Sequence, residues 1–508
     1  MALLTSSGCS EVRDLRWEYD LIGDRLPEAS GIQARIRRGG CLGSIEWEAQ
    51  WTRGEPGPQP PRLDHGETWG FEVRLLDDAC AVRATGCQDV TLPSDGVITQ
   101  VVVQPAPHDL ACSGAQVCRD GRCVEGIPDD GGAECADCCP EDTCMEGLCF
   151  PPAPVTSIMG GTDHSCVIRG GQVWCWGTST VGEVGNGSLT GVQETPVRVA
   201  SETDWERIDG HARTTCAIRR SGEVRCWGSN SAGQLGIGSA ISGQPAPIAI
   251  DSAFAYVDVA VGNEHACAVT TSARIHCWGR NDELQVSATG PAQVSVPTPY
   301  DDGLMFGVIE LGGRYSCGFA GGLLCWGDDT YASLARGGPG APAASPVLIP
   351  GTFRAFAGGN FHSCAADGSG QLFCWGKNLT DGASVEELAC GVAGDVIVGG
   401  PSLVPGVSAM DVDAFNHTCA LTTDNQIVCF GPNQRGQLGN GSRTSTHVPQ
   451  RVEPPAGGGW TGVRVGQRHT CAADRTGGLW CWGANDGRQL GVAGADDRLL
   501  PQRVCFGG

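Results

Sequence analysis

The last two thirds of this 508-residue chain repeat one short pattern seven times. In its fullest form the pattern reads His-Thr/Ser-Cys-Ala, a polar turn with glycine, and then Val-x-Cys-Trp-Gly. The first cysteines lie 47 to 55 residues apart, at Cys166, Cys216, Cys267, Cys317, Cys364, Cys419 and Cys471. The second cysteines are Cys175, Cys226, Cys277, Cys325, Cys374, Cys429 and Cys481. Because one such unit cannot bury its apolar face alone, this period predicts an all-β ring of stacked sheets, a seven-bladed β-propeller.

Each cysteine pair brackets a β-hairpin. In the second copy, two extended runs flank a turn at Ser221-Gly222, which places Cys216 opposite Cys226. Opposed residues of an antiparallel pair have Cα atoms about 4.5 to 5.5 Å apart, close to the span of a disulfide. The predicted disulfides are Cys166–Cys175, Cys216–Cys226, Cys267–Cys277, Cys317–Cys325, Cys364–Cys374, Cys419–Cys429 and Cys471–Cys481, with Cys80–Cys87 further upstream. The pairing of Cys41, Cys390, Cys505 and the cysteines of 111–150 stays open.

The sequence divides into four regions. We interpret residues 1–9 as the remnant of an export signal with a lipobox, ending at a lipidated Cys9; the alternative is an ordinary N-terminal cysteine. Alternating apolar and polar runs predict a small β-sandwich over 10–110. Eight cysteines with little to pack between them predict a disulfide-rich module over 111–152. The propeller takes 153–508, and we expect one blade to be completed by both of its ends, near Val155 and Pro501.

The repeated unit closely resembles the regulator of chromosome condensation repeat. The resemblance rests on Cys-Trp-Gly-x-Asn-x-x-Gly-Gln-Leu-Gly, which is complete at Cys226–Gly236 and matched at Phe430–Gly439, where Phe430 replaces the tryptophan. It covers about 155–505 and implies the seven-bladed propeller of that family. The fifth copy carries an insertion around Cys390. The cysteines depart from the nuclear members and fit an exported bacterial branch, because paired cysteines persist in oxidising compartments.

Several functions are disfavoured. The net charge of −23 repels phosphate, so nucleic acid is a poor partner. Guanine-nucleotide exchange on a GTPase, which the founding family member performs, is the alternative function; the acidic segment 111–155 and the exported setting speak against it. Photoreception by a plant member uses Gly-Trp-Arg-His-Thr motifs, whereas this chain has Gly466-Gln-Arg-His-Thr470. No sequence motif indicates an enzyme.

Some residues allow a structural and a functional interpretation. His164, His265, His362, His417 and His469 occupy one position in five copies, where Arg213 and Tyr315 stand in copies two and four; inter-strand hydrogen bonding is preferred over a metal ring. The tryptophans of Cys-Trp-Gly are assigned to packing between blades. Cys135 and Cys138 have zinc-ligand spacing, but disulfides are favoured. The glycine run at 457–462 is a turn, and the acid pairs Asp301–Asp302 and Asp328–Asp329 are placed on solvated loops.

These observations predict a binding module. We expect a non-catalytic scaffold without metal or cofactor, lipid-anchored in the bacterial cell envelope or secreted, that presents propeller loops to a partner. The partner is a protein, with a glycan as the alternative, and the chain is expected to be a monomer that touches membrane only through a lipid on Cys9. The sequence identifies no ligand-binding residues and does not indicate which face of the propeller is used.

Overall fold

The computed structural model describes residues 153–189, 191–239, 241–300, 303–378, 397–455 and 459–506 with their side chains, together with Cys139, Pro151 and Cys390. Elsewhere upstream of Pro151 it describes the backbone of the strands alone. The chain divides into two compact units, Met1–Glu134 and Cys135–Gly508. Among the described residues there are strands and turns, and no helix is long and apolar enough to cross a membrane.

The first unit contains two antiparallel sheets and a hairpin. One sheet has three strands, Leu15–Tyr19, Ala2–Ser6 and Thr99–Val101. The other has five, in the order Ser44–Thr52, Gly31–Arg38, Thr68–Leu76, Val82–Thr91 and Gln104–Leu110. The predicted sandwich stays a prediction, and the lipidation of Cys9 and the Cys80–Cys87 pair lie outside the residues described with side chains.

The two halves of the cysteine-rich segment form similar hairpins. Strands Gln116–Arg119 and Arg122–Glu125 place Cys118 opposite Cys123. Strands Thr143–Met145 and Leu148–Phe150, in the second unit, place Cys144 opposite Cys149. The boundary between the compact units lies between these hairpins, so the limits at 111 and 152 stay a prediction.

In the second unit every repeat forms four antiparallel strands in sequence order. The strands of repeats one to four are Val155–Gly160, His164–Arg169, Gln172–Thr178 and Val192–Arg198; Trp205–His211, Thr214–Arg219, Val224–Ser229 and Gly243–Ala249; Tyr256–Val261, His265–Thr270, Ile275–Arg280 and Gln293–Pro299; and Ile309–Leu311, Tyr315–Phe319, Leu323–Gly327 and Ala343–Leu348.

Repeats five and six are joined by one long strand, Ile397–Ala414. Its first part pairs with Gln371–Lys377 and its second part with Thr418–Thr422. The remaining strands of these repeats are Phe353–Gly358 and His362–Asp367 in repeat five, and Ile427–Gly431 and Thr446–Val452 in repeat six. Repeat seven contains Trp460–Val465, His469–Asp474, Leu479–Gly483 and Arg498–Arg503. The all-β propeller prediction is confirmed, and the number of blades stays the prediction made from the repeats.

The hydrophobic core lies between successive sheets. One core cluster joins Ile218 and Leu235 of repeat two to Val259 and Trp278 of repeat three. Another joins Leu479 of repeat seven to Ile158 and Trp176 of repeat one. Each sheet therefore buries its apolar face against the next, and the last sheet packs on the first.

The expectation that both ends complete one blade is wrong. Val155–Gly160 is the first strand of its own repeat, and Arg498–Arg503 is the fourth strand of repeat seven. In every later repeat, the fourth strand of the preceding sheet comes just before the first strand. In the sequence, the last strand of repeat seven therefore resembles a segment that leads into repeat one, although it belongs to its own sheet. The ring closes between sheets instead, where the backbone N–H of Gln467 donates to the carbonyl of Gly161 at 3.0 Å.

The structure joins all seven predicted hairpin pairs by S–S bonds, with Cα atoms 4.0 to 4.1 Å apart. In each pair the two cysteines are directly opposed in the ladder between the second and third strands. An eighth disulfide joins Cys139 to Cys505 across 366 residues of sequence. This pairing, which the sequence left open, connects the segment before the first repeat to the end of the last one.

Candidate functional site

The repeated histidines connect neighbouring sheets. Each Nε2 atom lies 2.8 to 3.1 Å from the hydroxyl of the residue before the first cysteine of the next repeat. The pairs are His164–Thr215, His265–Ser316, His362–Thr418, His417–Thr470 and, closing the ring, His469–Ser165. Burial lowers the pKa of these imidazoles to about 3 or 4, so they are neutral at pH 7. They are structural hydrogen-bonding groups.

The tryptophans of Cys-Trp-Gly make a second connection. The indole N–H of Trp278 donates to the carbonyl of Gln234 in the preceding repeat at 2.8 Å. Trp176, Trp227, Trp326, Trp375 and Trp482 donate to equivalent carbonyls at 2.8 to 3.0 Å. Gly236 lies against the Trp278 ring at a φ of +67°, and a Cβ there would come within 2.9 Å of the indole. The Gln-Leu-Gly run therefore provides the surface on which the next repeat's tryptophan packs.

The asparagine of the motif shapes the loop that carries this carbonyl. The Asn230 side chain accepts the N–H of Leu235 at 3.0 Å, and Asn433 and Asn485 accept the equivalent N–H of Leu438 and Leu490. In repeat four Asp329 takes this role, accepting from Leu334 and pairing with Arg336. Asp328 and Asp329 are buried, so their placement on a solvated loop is wrong. Asp301–Asp302 lie outside the described residues.

Where one copy departs from the repeat, the next copy also departs at the position that would contact it. Copy two lacks the histidine, and copy three carries Ala266 in place of the hydroxyl residue that the histidine would contact. The register places Thr214 at the histidine position, so the assignment of Arg213 to that place is wrong. In copy five, Asn378 accepts the N–H of Cys390 at 2.9 Å, which puts this buried free cysteine at the leucine position after the insertion. The next repeat has Phe430 in place of the tryptophan, and its ring has no N–H to donate to a carbonyl of copy five.

The other candidates are resolved in part. Cys135 and Cys138 lie outside the described residues, so the zinc alternative for them is not tested. Among the residues described with side chains, no group of three or more histidine, cysteine, aspartate or glutamate side chains could hold a metal ion. Trp460, Thr461 and Gly462 of the glycine run lie in strand Trp460–Val465, so the assignment of the whole run to a turn is wrong; Gly457 and Gly458 lie outside the described residues.

One end of the ring carries a belt of ion pairs, here called the loop face. It is formed by the loops between the first and second strands and between the third and fourth strands of each repeat. The Arg213–Glu183 and Arg280–Glu264 pairs measure 2.8 and 2.5 Å. Further pairs are Arg314–Glu283, Arg468–Asp163, Arg435–Asp486 and Arg443–Asp497. The arginine side chains are 32 to 50% exposed, so partly solvated charges are held at fixed places around the face.

In repeat five the belt is interrupted by aromatic rings. The Nζ of Lys377, the chain's single lysine, lies 4.8 Å from the centroid of Tyr331 and 5.2 Å from that of Phe361. The two rings are 5.1 Å apart in an edge-to-face arrangement. Phe361 is 36% exposed, so an apolar surface adjoins the charged belt.

A cavity of about 480 Å³ lies on the axis, enclosed by the first strands of the sheets. Its described lining includes six acidic side chains and two arginines, which are Glu206, Asp209, Asp258, Glu310, Asp411, Asp413, Arg207 and Arg464. Asp209 and Asp413 accept backbone N–H groups of the following repeat, from Val261 at 2.7 Å and Val465 at 2.6 Å. Carboxyl groups therefore outnumber guanidinium groups around the axis.

Burial raises the pKa values of several acidic groups in this cavity. It raises the pKa of Asp209 to about 6 and that of Asp413 to about 7, with Arg464 opposing both shifts. The pKa of Glu310 is raised well above its usual range by burial and by the nearby Asp209 and Asp258. Two ion pairs, Arg207–Asp258 at 2.6 Å and Arg464–Asp411 at 2.8 Å, compensate part of the charge.

His211 and Phe415 stack across the axis. Their ring centroids are 3.9 Å apart and nearly parallel, although they belong to repeats two and six. Most repeats have glycine at this place, as at Gly262 and Gly466, where the histidine ring of the same repeat fills the space. Sequence reasoning missed both this stack and the acidic lining.

Comparisons with known proteins agree with this architecture. A model described as the regulator of chromosome condensation (RCC1) repeat matches residues 221–269 and 424–473, and a second of the same description matches 256–285, 353–382 and 460–489. The ultraviolet-B receptor UVR8 of Arabidopsis thaliana is 26% identical over 391 residues, covering 72% of this chain and 84% of the receptor. The human E3 ubiquitin-protein ligase HERC2 is 26% identical over 343 residues, covering 63% of this chain but 7% of the ligase.

Solved structures show the same fold. Human WBSCR16 superposes with a TM-score of 0.59 at 19% identity, covering 66% of this chain and 95% of that one. Yeast RCC1 (Prp20), in its structure with Kap60, superposes with a TM-score of 0.58 at 18% identity, covering 70% and 84%. The family models therefore identify regulator of chromosome condensation (RCC1) repeats within residues 221–285, 353–382 and 424–489, and the two solved structures show that the chain shares their fold.

Proposed function

We propose that this chain is a non-catalytic scaffold that binds a protein partner through the loop face. The observation that carries the proposal is the belt of partly exposed ion pairs held on rigid loops. Exposed ion pairs contribute little to folding stability, about 0 to 1 kcal/mol each. Fixed charges of both signs can instead complement the charges on a partner's surface. Such complementarity selects one partner over others and accelerates its association.

The relatives support a binding role in general terms. Yeast RCC1 is solved bound to Kap60, and UVR8 is named a receptor. HERC2 is named a ligase, but the chain matches a small part of it, so that activity is not carried over. The alternative function is regulation of a GTPase, and a glycan is the alternative ligand.

The loop face can be tested by charge reversal. We expect Arg280→Glu combined with Arg314→Glu to weaken binding of the partner about tenfold or more, because both arginines are part of the belt. Arg220→Glu combined with Arg274→Glu is the matched control, since these residues lie at the hairpin turns on the opposite end of the strands. The measurement is retention of proteins from native envelope extract on immobilised chain, followed by affinity measurement for each retained protein.

A partner lost with the first double variant and kept with the second supports the proposal. Equal loss with both, or retention by both, contradicts it. A retained GTPase whose nucleotide release is accelerated by the chain would favour the alternative function.

We further propose that the chain works outside the cytosol, in the bacterial cell envelope or as a secreted protein, with a lipid on Cys9 as the anchor. The eight disulfides among the described residues support an oxidising setting. Protein purified from its native host without reductant should contain few free thiols when it is denatured and titrated with a thiol reagent. The Cys390 thiol should be one of them. About two dozen free thiols would contradict the extracellular setting. Mass spectrometry of the N-terminal peptide tests the lipid.

A further inference from the structure

The axial cavity combines unbalanced charge with unused hydrogen-bonding groups. The Glu310 carboxyl group lies in the cavity lining beside the acidic Asp209, Asp258 and Asp413, with Arg464 as the cation that acts on it. Neither ring nitrogen of His211 makes a hydrogen bond of standard geometry there, the Asn263 amide being a weak contact, and the residue is only 5% exposed. Buried polar atoms are normally satisfied, so the His211 nitrogens indicate a missing partner.

His211 lines the same cavity as the acids. Burial lowers its pKa to about 4, against a smaller opposite contribution from the Asn263 amide, so the imidazole is neutral and has one nitrogen free to accept a hydrogen bond. The stacked Phe415 adds an aromatic surface beside it, and aromatic rings attract cations. Acceptors, negative charge and aromatic surface therefore lie together.

We propose that the axial cavity binds a small organic cation with several N–H donors, of the guanidinium or primary ammonium class. The carboxylates of Asp209, Glu310 and Asp413 would take the donors, and His211 would accept one more. A volume of about 480 Å³ is within the range of small-molecule sites, about 300 to 1,000 Å³.

A metal ion fits the cavity less well. Calcium and magnesium need several oxygen ligands within about 2.0 to 2.6 Å of one point. Over the residues described with side chains, no three acidic, histidine or cysteine side chains converge in this way. A cation with donors spread over several atoms can reach carboxylates that a single ion cannot bridge.

The test uses agmatine, which carries a guanidinium and an ammonium group, with calorimetric titration of the whole chain. We expect saturable binding at pH 8, which is above the pKa values of Asp209 and Asp413. Because binding favours the ionised carboxylates, agmatine should release protons at pH 6.5, seen as a dependence of the heat on buffer ionisation. Glu310→Gln and Asp413→Asn should each weaken binding about tenfold or more. Asp424→Asn, on an exposed turn between strands of repeat six, is the charge-matched control and should change affinity less than about twofold.

A second readout does not depend on the variants folding normally. Agmatine should raise the Tm of the unaltered chain, whereas 1-butanol, an uncharged probe of similar chain length, should not. Absence of saturable agmatine binding would overturn the proposal, and so would unchanged affinity in both cavity variants. Binding of calcium that is lost in the same variants while agmatine does not bind would identify a metal site instead.

Discussion

Replacing Trp278 by phenylalanine should lower the free energy of unfolding by about 2 to 4 kcal/mol, more than the same change at Trp482. Both indoles are fully buried and both donate to a carbonyl of the preceding repeat. The Gln437 carbonyl also accepts the Thr470 hydroxyl at 2.8 Å, whereas the Gln234 carbonyl has Trp278 as its one side-chain donor among the described residues, because Ala266 has no hydroxyl. Leaving a buried acceptor unsatisfied costs about 1 to 3 kcal/mol beyond the lost volume.

Denaturant titration of the two variants measures this difference. Phe430, which already takes this place in repeat six, shows that the fold accepts the smaller ring where the preceding loop has changed. Equal losses at Trp278 and Trp482 would mean that packing, and not the indole hydrogen bond, determines the effect. A double variant that adds Ala266→Ser should recover part of the loss at Trp278, because serine can then donate to the same carbonyl.

Replacing Asp413 by asparagine should stabilise the chain at pH 8 by about 1 to 3 kcal/mol and change stability little near pH 4. The folded-state pKa of about 7 lies above the usual value near 4, so folding is opposed increasingly as the pH rises from about 4 to 7. Above pH 7 the ionised Asp413 carboxylate lowers the free energy of unfolding by its full amount. Asparagine removes this destabilisation and can still accept the N–H of Val465.

Thermal unfolding of this variant from pH 4 to 8 tests the sign. Asp424→Asn again serves as the control, since its turn is exposed and Asp424 does not line the axial cavity. A gain that is equal at all pH values, or a loss at pH 8, would show that ionisation of Asp413 does not oppose folding. In that case Arg464, whose guanidinium pairs with Asp411 at 2.8 Å, neutralises the cavity more fully than the pKa shift implies.

The local features of the fold were predictable because they depend on short spacing. The distance of eight to ten residues from one cysteine to the next defines a hairpin, and the register Cys216↔Cys226 follows from its turn. The packing role of Trp278 follows from its place in a repeated apolar strand. These inferences need no knowledge of which repeat lies beside which.

Features that join neighbouring repeats were harder to predict from the sequence. The missing histidine of copy two and Ala266 of copy three are both visible in the sequence, but their connection appears only when the histidine is known to face the following repeat. Asp329 was misplaced because an acid replaces the asparagine at the centre of a buried turn, with Arg336 offsetting its charge. The acidic cavity lining had one signal, the polar residues Asp209, Glu310 and Arg464, each seven positions before a first cysteine.

The Cys139–Cys505 disulfide affects how the ring would respond to mechanical tension. Its Cα atoms are 5.2 Å apart, and it spans the chain on either side of all seven repeats. A pulling force applied between the upstream unit and the C-terminus would pass through this covalent bridge, because the bridge is the shortest path along bonded atoms. The sheets between the two cysteines would then carry no load, so a tethered chain could be stretched without peeling its first or last strand from the ring.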